Sequence, residues 1–364
     1  MPADAPSTFA FEPSASRVAD DARALMLVDP GFGRVFTDHM AIARYDSEKG
    51  WQEARITARK PLSIDPGTSV LHYAQEIFEG LKAYRRPDGR FALFRADANA
   101  RRFNASARRM AMPDLPEAMF LDSIRALVRA DKAWIPDSED GALYLRPFMF
   151  ASEVFLGVKP ASEYLYIVMA SSVGSYFKGA PSVSLWVTRE FTRAAPGGTG
   201  AAKCGGNYAT SLIAQAEAIR NGCDQVVFLD AVERRWVEEL GGMNIFFVFD
   251  DGSIATPPLT GTILPGITRD SILTLARDQG IEVREEPYAI DQWEADAKSG
   301  RLTEAFACGT AAVVTAIGSV KGAEGEFAIG GQSVGPLTQR IRESLVGIQR
   351  GQAPDPHNWI EELG

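Results

Sequence analysis

Helical periodicity is clearest between Leu115 and Ala133, where Leu121, Ile124 and Val128 share one face while Arg125 and Arg129 occupy another. Ala96–Met110 reads as a second helix, and the Pro87-Asp88-Gly89 turn sets off a strand over Arg90–Arg95. Strands are predicted over Leu143–Phe150, Tyr164–Ala170, Val183–Thr188, Gln225–Asp230 and Asn244–Phe249, and another from Ile281. Helices are predicted over Tyr208–Asn221, Thr268–Gln279 and Pro336–Gln349, with one more from about Asp291. An apolar run, Glu304–Val314, stands between the last two of these.

The pattern lapses in two places. Residues 1–20, rich in Ala, Ser, Pro and Asp, read as a disordered tail. Between Gly174 and Pro181 periodicity stops and turn formers gather, which predicts a domain boundary. The resulting layout is a small α/β domain over 21–174, an interdomain loop over 175–182 and a larger domain over 183–364. A length of 364 residues suits two domains. No Gly-rich nucleotide turn joins a strand to a helix, so an α+β arrangement is expected rather than a doubly wound sheet.

Composition narrows the chemistry. The net charge is −9, which argues against nucleic acid as a partner, because phosphate backbones are held by clustered Lys and Arg. No stretch nears 18 apolar residues, so no membrane span is expected. The first twenty residues hold Asp4, Glu12 and Asp20 against the single cation Arg17, unlike a secretory signal. Three Cys without paired spacing suit a reducing cytoplasm. With three dispersed His as well, zinc, haem and His-based catalysis have little to build on and no metal is expected. Lysines number only nine, at 49, 60, 82, 132, 159, 178, 203, 298 and 321.

One of them stands in an unusual setting. The run Ala194-Ala-Pro-Gly-Gly-Thr-Gly-Ala-Ala-Lys203-Cys-Gly-Gly-Asn-Tyr208 surrounds a single Lys with five glycines, and a helix follows. Glycine lets backbone wrap closely around a bound object. The flanking Ala201 and Ala202 are small and apolar, and no acid nearby offers an ion pair. A lysine in apolar surroundings is suited to nucleophilic, Schiff-base chemistry. A solvated surface lysine is the plainer reading of such a loop.

This run resembles the cofactor-lysine loop of class IV pyridoxal-phosphate aminotransferases, specifically branched-chain amino acid aminotransferases. Six further runs match in order: Phe36-Thr-Asp-His-Met40, Leu71-His-Tyr-Ala-Gln-Glu-Ile-Phe-Glu-Gly-Leu-Lys-Ala-Tyr84, Leu143-Tyr-Leu-Arg-Pro147, Glu238-Glu239-Leu-Gly-Gly-Met-Asn244, Leu264-Pro-Gly-Ile-Thr-Arg-Asp270 and Cys308-Gly-Thr-Ala311. The resemblance spans roughly Gly31 to Gly351. It implies fold type IV, with a small N-terminal α/β domain and a larger C-terminal pseudo-barrel domain that carries the cofactor lysine. Pyridoxal 5'-phosphate is the implied cofactor. The implied reaction exchanges the amino group of L-leucine, L-isoleucine or L-valine with 2-oxoglutarate.

Residue roles follow from the same resemblance. Lys203 bonds the cofactor's aldehyde and then moves a proton from the substrate Cα. Tyr208 holds the cofactor's phenolic oxygen, and Glu239 faces the pyridine nitrogen and keeps it protonated. Phosphate falls to the backbone of Ile267 and Thr268 at a helix start, the Thr310 hydroxyl and an arginine. Arg101 and Arg102 both compete for that last place, and the family's Asn-x-x-Arg spacing, counted from Asn99, selects Arg102. Tyr73, Tyr144 and Arg146, with backbone of the Gly309-Thr310-Ala311 turn, match positions that orient the substrate carboxylate. Phe78, Tyr176 and Gly242 would line the side-chain pocket. Part of that pocket comes from a neighbouring subunit in this family, which implies at least a homodimer. Some members carry a Cys-x-x-Cys pair after the Gly-Thr-Ala turn; Ala312 and Thr315 stand there, so that thiol switch is missing. D-amino acid aminotransferases and aminodeoxychorismate lyases share fold and cofactor and form the alternative.

Overall fold

The computed structural model describes residues 8–174 and 182–363. The chain divides into two compact units. The first comprises Met1–Tyr176, Ala202–Gly205 and Ile348–Gly364, and the second Phe177–Ala201 and Gly206–Gly347. The expected break near Gly174 is close to the first crossing, but two later segments return to the first unit. One of them carries Lys203, which the sequence places with the larger domain.

The first unit contributes β1 (Ala10–Phe11), β2 (Val35–Phe36), β3 (His39–Asp46), β4 (Gly50–Ala58), β5 (Glu76–Phe78), β6 (Leu81–Arg85), β7 (Phe91–Phe94), β8 (Ala142–Ala151) and β9 (Glu163–Val173). The second supplies β10 (Val183–Thr188), β11 (Gln225–Leu229), β12 (Val237–Leu240), β13 (Asn244–Phe249), β14 (Ile254–Thr256), β15 (Val283–Glu285), β16 (Leu302–Gly309), β17 (Val313–Gly322) and β18 (Gly325–Ala328). The chain ends with β19 (Ile360–Leu363), back in the first unit. Helices are α1 (Asp20–Leu27), α2 (Val70–Tyr73), α3 (Ala96–Arg109), α4 (Glu117–Asp131), α5 (Gly205–Ala209), α6 (Leu212–Arg220), α7 (Ile267–Asp278), α8 (Ile290–Ser299) and α9 (Pro336–Arg350).

In the first unit the sheet runs β1-β4-β3-β9-β8-β6-β7-β19, with β2 on β9 and β5 on β8. Helices α3 and α4 cover it. Phe103 and Phe120 lie 5.5 Å apart, centroid to centroid, and both rings meet Tyr166 of β9. Ile124 and Val128, predicted to face inward, are buried alongside Leu127, while Leu121 is only half-buried.

The N-terminal expectation needs correcting. Residues 8–18 are tied down: Phe9 is buried, β1 pairs in parallel with β4, and the Thr8 hydroxyl donates to Asp122. The backbone N–H of Ser14 donates to His39 Nε2, which leaves Nδ1 to carry the proton toward Asp131, 2.7 Å away. Apolar Phe9 inside a polar stretch is the anchor that composition alone conceals. At the other end β19 pairs antiparallel with β7, which draws 360–363 into the first sheet.

The second unit's sheet runs β12-β11-β10-β17-β16-β13-β14-β15, with β18 on β17. Strand β10 is parallel to both β11 and β17, whereas β13, β16 and β17 form an antiparallel run. Parallel and antiparallel pairs coexist, as the α+β expectation requires. Its core gathers Phe247, Tyr288 and Trp293, with Phe247 4.5 Å from Tyr288 and 4.9 Å from Trp293. The helix expected over Tyr208–Asn221 is two. The Thr210 and Ser211 hydroxyls bond back to the carbonyls of Asn207 and Tyr208, and the helix breaks there.

Candidate active site

Lys203 is held by its backbone. Ala202 and Cys204 on either side are buried, so the chain is anchored by small apolar side chains flanking the lysine. The Lys203 carbonyl accepts from Phe78 N (2.9 Å) and its N–H donates to Ser106 Oγ (2.9 Å). Gly205 N donates to the Glu76 carboxylate, and a Cβ on Gly205 would collide with that same oxygen, which explains the glycine. Burial pushes the Glu76 carboxyl up, opposed by the Gly205 N–H and the charge of Arg146. Three successive hydrogen-bonded contacts thus attach the lysine segment to β5 and α3 of the first unit.

The lysine Nζ lies over the Phe78 ring, 4.9 Å from its centroid, and the Arg146 guanidinium lies 4.7 Å from the same centroid. Register explains the grouping. Phe78 pairs with Phe148 across β5 and β8, and Arg146 and Tyr144 stand two and four residues before Phe148, so all share one face. Arg146 Nη2 donates to the Tyr144 hydroxyl (3.1 Å), while its Nε is buried and has no partner among the described residues. Phe32 packs edge-on against Tyr144 at 5.0 Å. Gly80 permits this packing, since a Cβ there would strike the Tyr144 hydroxyl. Tyr73 stands elsewhere: it ends α2, is 40% exposed, and its hydroxyl bonds the Leu156 carbonyl. Tyr176 lies outside the described residues.

Arg102 is buried on α3 and engages the fully buried Glu79. Its Nε donates to Glu79 Oε1 (2.7 Å) and its Nη2 to Oε2 (2.8 Å). Asn99 Nδ2 also donates to Oε2 (2.7 Å), so the Asn-x-x-Arg spacing puts two donors on one helix face toward one carboxylate. Arg101, the competitor left open by the sequence, is exposed and pairs with Asp97 four residues earlier. Arg108 is likewise exposed, on Asp114.

In the second unit two consecutive carboxylates turn to one loop. Alternation along a strand would send Glu238 and Glu239 to opposite faces. A register shift opposite Phe228–Leu229 interrupts the β11–β12 ladder there. Glu238 Oε1 accepts from Thr262 Oγ1 (2.5 Å), and Glu239 Oε1 accepts from Leu264 N (3.0 Å). Their electrostatics diverge. Burial pushes the Glu238 carboxyl up, against the opposing Thr262 bond and Arg193 charge, and its Oε2 has no partner among the described residues. Glu239 instead has Arg193 Nη2 2.5 Å from Oε1, an arrangement that favours the charged carboxylate. Arg193 also donates to the carbonyls of Gly200 and Thr262.

Helix α7 starts at Ile267, one residue before the predicted start, with extended Gly266 at its N-cap and no side-chain cap. Thr268 is therefore inside the first turn rather than capping it. First-turn N–H groups have no intrahelical acceptor, and the helix dipole favours an anion at this end. Asn244 braces the approach by donating to the Leu264 carbonyl (3.1 Å), and a Cβ on Gly266 would strike the Asn244 side chain. The β16–β17 hairpin turns through Thr310 and Ala311, with Val313 in the left-handed region at φ 61°. A Cβ on Gly309 would sit 3.5 Å from Met243, and one on Gly242 would sit 3.6 Å from Tyr208. The hairpin turn and the Gly242–Met243 bend are thus neighbours, as are that bend and Tyr208. Cys308 pairs with Asn244 across β13–β16, and burial pushes its thiol up, so it stays protonated.

Residues 76–320 match the family model described as amino-transferase class IV. The chain belongs to the branched-chain amino acid aminotransferases of that class. A probable branched-chain-amino-acid aminotransferase of Streptomyces coelicolor is 55% identical over 98% of this chain and 99% of its own length. The branched-chain-amino-acid aminotransferase of Mycobacterium tuberculosis is 56% identical, covering 95% of each chain. Among solved structures, the Escherichia coli branched-chain amino acid aminotransferase superposes with a TM-score of 0.73 at 29% identity, over 89% of this chain and 100% of that one. The branched-chain amino acid aminotransferase of Thermobaculum terrenum, in its PLP-form, gives 0.72 at 26% identity, over 90% and 98%. The family assignment carries the fold type IV, α+β architecture expected from the sequence. Sequence reasoning gave no role to Glu79 and Asn244, although both stand in matching runs, and missed Arg193, Phe32 and Ser106, which contact the predicted site residues but carry no motif of their own.

Proposed function

We propose that this protein transfers the amino group of L-leucine, L-isoleucine or L-valine to 2-oxoglutarate, yielding the branched-chain 2-oxo acid and L-glutamate, with pyridoxal 5'-phosphate as cofactor. The observation that carries the reading is the setting of Lys203: backbone-clamped, flanked by buried small residues, its amine resting on Phe78. The donor set suits a phosphorylated pyridine aldehyde. Lys203 offers an amine for the aldehyde, Glu239 a charged carboxylate for a pyridinium nitrogen, and Tyr208 a hydroxyl for the phenolic oxygen. Arg102, the Thr310 hydroxyl and the α7 start at Ile267 and Thr268 offer charge, hydroxyl and N–H groups for a phosphate.

When bound, the cofactor supplies an electron-accepting ring conjugated to the substrate's amino group. The protein's part is to place a base and a countercharge. Lys203 Nζ removes the proton from the substrate Cα, which for an amino acid in water is otherwise far too weakly acidic to leave. Arg193 holds Glu239 charged, so that a proton on the pyridine nitrogen is retained. Arg146 and Tyr144 of the first unit are assigned to the substrate carboxylate, a role the resemblance also gives to the Ala311 turn. The buried Arg146 Nε, without a partner among the described residues, supports this. Phe78, Gly242 and Tyr176 are assigned to the substrate side chain, and Tyr73 to substrate binding, by resemblance alone.

A homo-oligomer, at least a dimer, accompanies the reading. In the first unit the apolar side chains of Leu71, Val154, Leu156 and Val158 are more than half exposed, which suits a subunit interface. A cytoplasmic setting agrees with Cys204, Cys223 and Cys308 being free thiols. Among the described residues no helix is long and apolar enough to cross a membrane. The test of substrate class is a panel of L- and D-amino acids assayed for glutamate formation from 2-oxoglutarate. L-leucine, L-isoleucine and L-valine should lead it, and a preference for D-amino acids would overturn the reading.

A further inference from the structure

Glu79 is the most enclosed carboxylate beside the lysine segment, and neither motif nor reaction scheme gives it a task. Its side chain is 0% exposed. Arg102 Nε and Nη2, Asn99 Nδ2 and the Gly80 N–H all donate to it, at 2.7, 2.8, 2.7 and 3.1 Å. Its own N–H donates to the Pro147 carbonyl, one residue beyond Arg146 (2.7 Å). Phe78, the preceding residue, donates its N–H to the Lys203 carbonyl. The carboxylate is therefore fixed by α3 and the Gly80 N–H, while the Glu79 backbone is tied to β8 and the adjoining Phe78 backbone to the lysine segment.

We propose that Glu79 is a positioning residue that clamps the Arg102 guanidinium in the orientation needed for a phosphate and directs a fixed negative charge toward the Lys203 amine. The proposal rests on the reading that Lys203 and Arg102 hold pyridoxal phosphate. A bidentate pair on the Nε–Nη2 edge fixes the guanidinium plane and so the direction of its remaining edge. An arginine held this way meets a dianion without first giving up side-chain freedom. Asn99 locks the carboxylate in turn. Burial alone would push the Glu79 carboxyl up, but the charge and hydrogen bonds of Arg102, with Lys203 charge and the Asn99 bond, hold it below the usual carboxylate value. It therefore stays negative across the neutral range, where it stabilises positive charge on the neighbouring lysine nitrogen.

The two effects separate in two variants. Glu79→Gln removes the charge, and Glu79→Asp keeps the charge but shortens its reach to Arg102. Each purified protein is stripped of cofactor and titrated with pyridoxal 5'-phosphate, and the visible band of the reconstituted protein is then followed against pH. Glu79→Gln should weaken pyridoxal phosphate binding by roughly tenfold or more. It should also move the pH midpoint of the band lower by at least about 0.5, because the protonated nitrogen has lost its countercharge. Glu79→Asp should weaken binding while leaving the midpoint near that of the parent protein. A midpoint unmoved in Glu79→Gln, with binding unchanged, would overturn the proposal. If Glu79→Gln does not fold, Glu79→Asp decides, and parent-like cofactor affinity in it would overturn the clamp. Absence of any visible band in the parent protein would instead overturn the reading of Lys203 itself.

Discussion

Arg193 Nη2 sits 2.5 Å from Glu239 Oε1, and both side chains are almost wholly buried. Its immediate neighbour in sequence, Glu238, has its carboxyl pushed up by burial and bonds a threonine hydroxyl instead. Two adjacent acids of one strand thus differ in the form they favour. Glu239→Gln should lower kcat by roughly a hundredfold or more while weakening cofactor binding much less. Glu238→Gln, which replaces a carboxyl already inclined to be neutral, should leave kcat within about threefold of the parent. Steady-state kinetics alongside cofactor titration reads both, and equal losses in the two variants would refute the assignment.

Arg193→Met leaves the Glu239 charge buried without its partner. Removing one member of a buried pair costs about 3–5 kcal/mol, so thermal unfolding should move down sharply. Adding Glu239→Gln should recover part of that loss, because the orphaned charge goes with it. A double variant no more stable than Arg193→Met would show that the arginine acts mainly through the Gly200 and Thr262 carbonyls it also bonds.

Gly80→Ala tests the packing behind the carboxylate site. The added methyl must displace the Tyr144 hydroxyl, and Tyr144 is bonded to Arg146. The expected result is a fall of roughly ten- to a hundredfold in kcat/KM for L-leucine, carried mostly by KM. Cofactor affinity should stay close to that of the parent.

Much of this site is legible in the sequence because its parts are short and contiguous. Lys203 stands out through scarce lysine and abundant glycine, and the Leu264–Asp270 run reads directly as a loop entering a helix. Arg102 is separable from Arg101 by spacing, and the structure supplies a reason: Asn99 and Arg102 meet on Glu79. What escapes is non-local. Arg193 precedes Glu239 by 46 positions, and nothing in its neighbourhood announces that it will be buried. Glu79 stands in the Leu71–Tyr84 run without a role there, because its partners Asn99 and Arg102 are 20 and 23 residues away. The lysine segment reads as part of the larger domain because contiguity is all a sequence offers, whereas bonds to Phe78, Ser106 and Glu76 draw it to the first unit. Strands Val183–Thr188 and Asn244–Phe249 have the bounds expected of them, since their apolar runs stop where the ladders stop.

Lys82 gives a pH signature in stability. Burial, reinforced by nearby Arg350 and opposed by Asp140, pushes its ammonium from 10.5 down to about 8. Below about pH 8 the folded chain must bury the charge, and folding carries that cost in full. Between about 8 and 10.5 the folded form has released the proton while the unfolded form still holds it, so this contribution to stability rises with pH. Lys82→Met should therefore be more stable than the parent at pH 7, by about 1–3 kcal/mol, with the advantage shrinking from pH 8 upward. Denaturant melts at pH 7 and pH 10 measure it, and an advantage that grows with pH would contradict the burial argument.

The central claim is that Lys203 and a pyridoxal cofactor carry out both halves of a branched-chain transamination. The most direct test follows the visible absorption of the reconstituted protein as L-leucine and then 2-oxoglutarate are added, with borohydride reduction and peptide mapping of the starting form. The account predicts a band that is lost with L-leucine, returns with 2-oxoglutarate, and is fixed by borohydride onto Lys203. A protein that stays colourless with pyridoxal phosphate, or a label fixed on any other lysine, would contradict it.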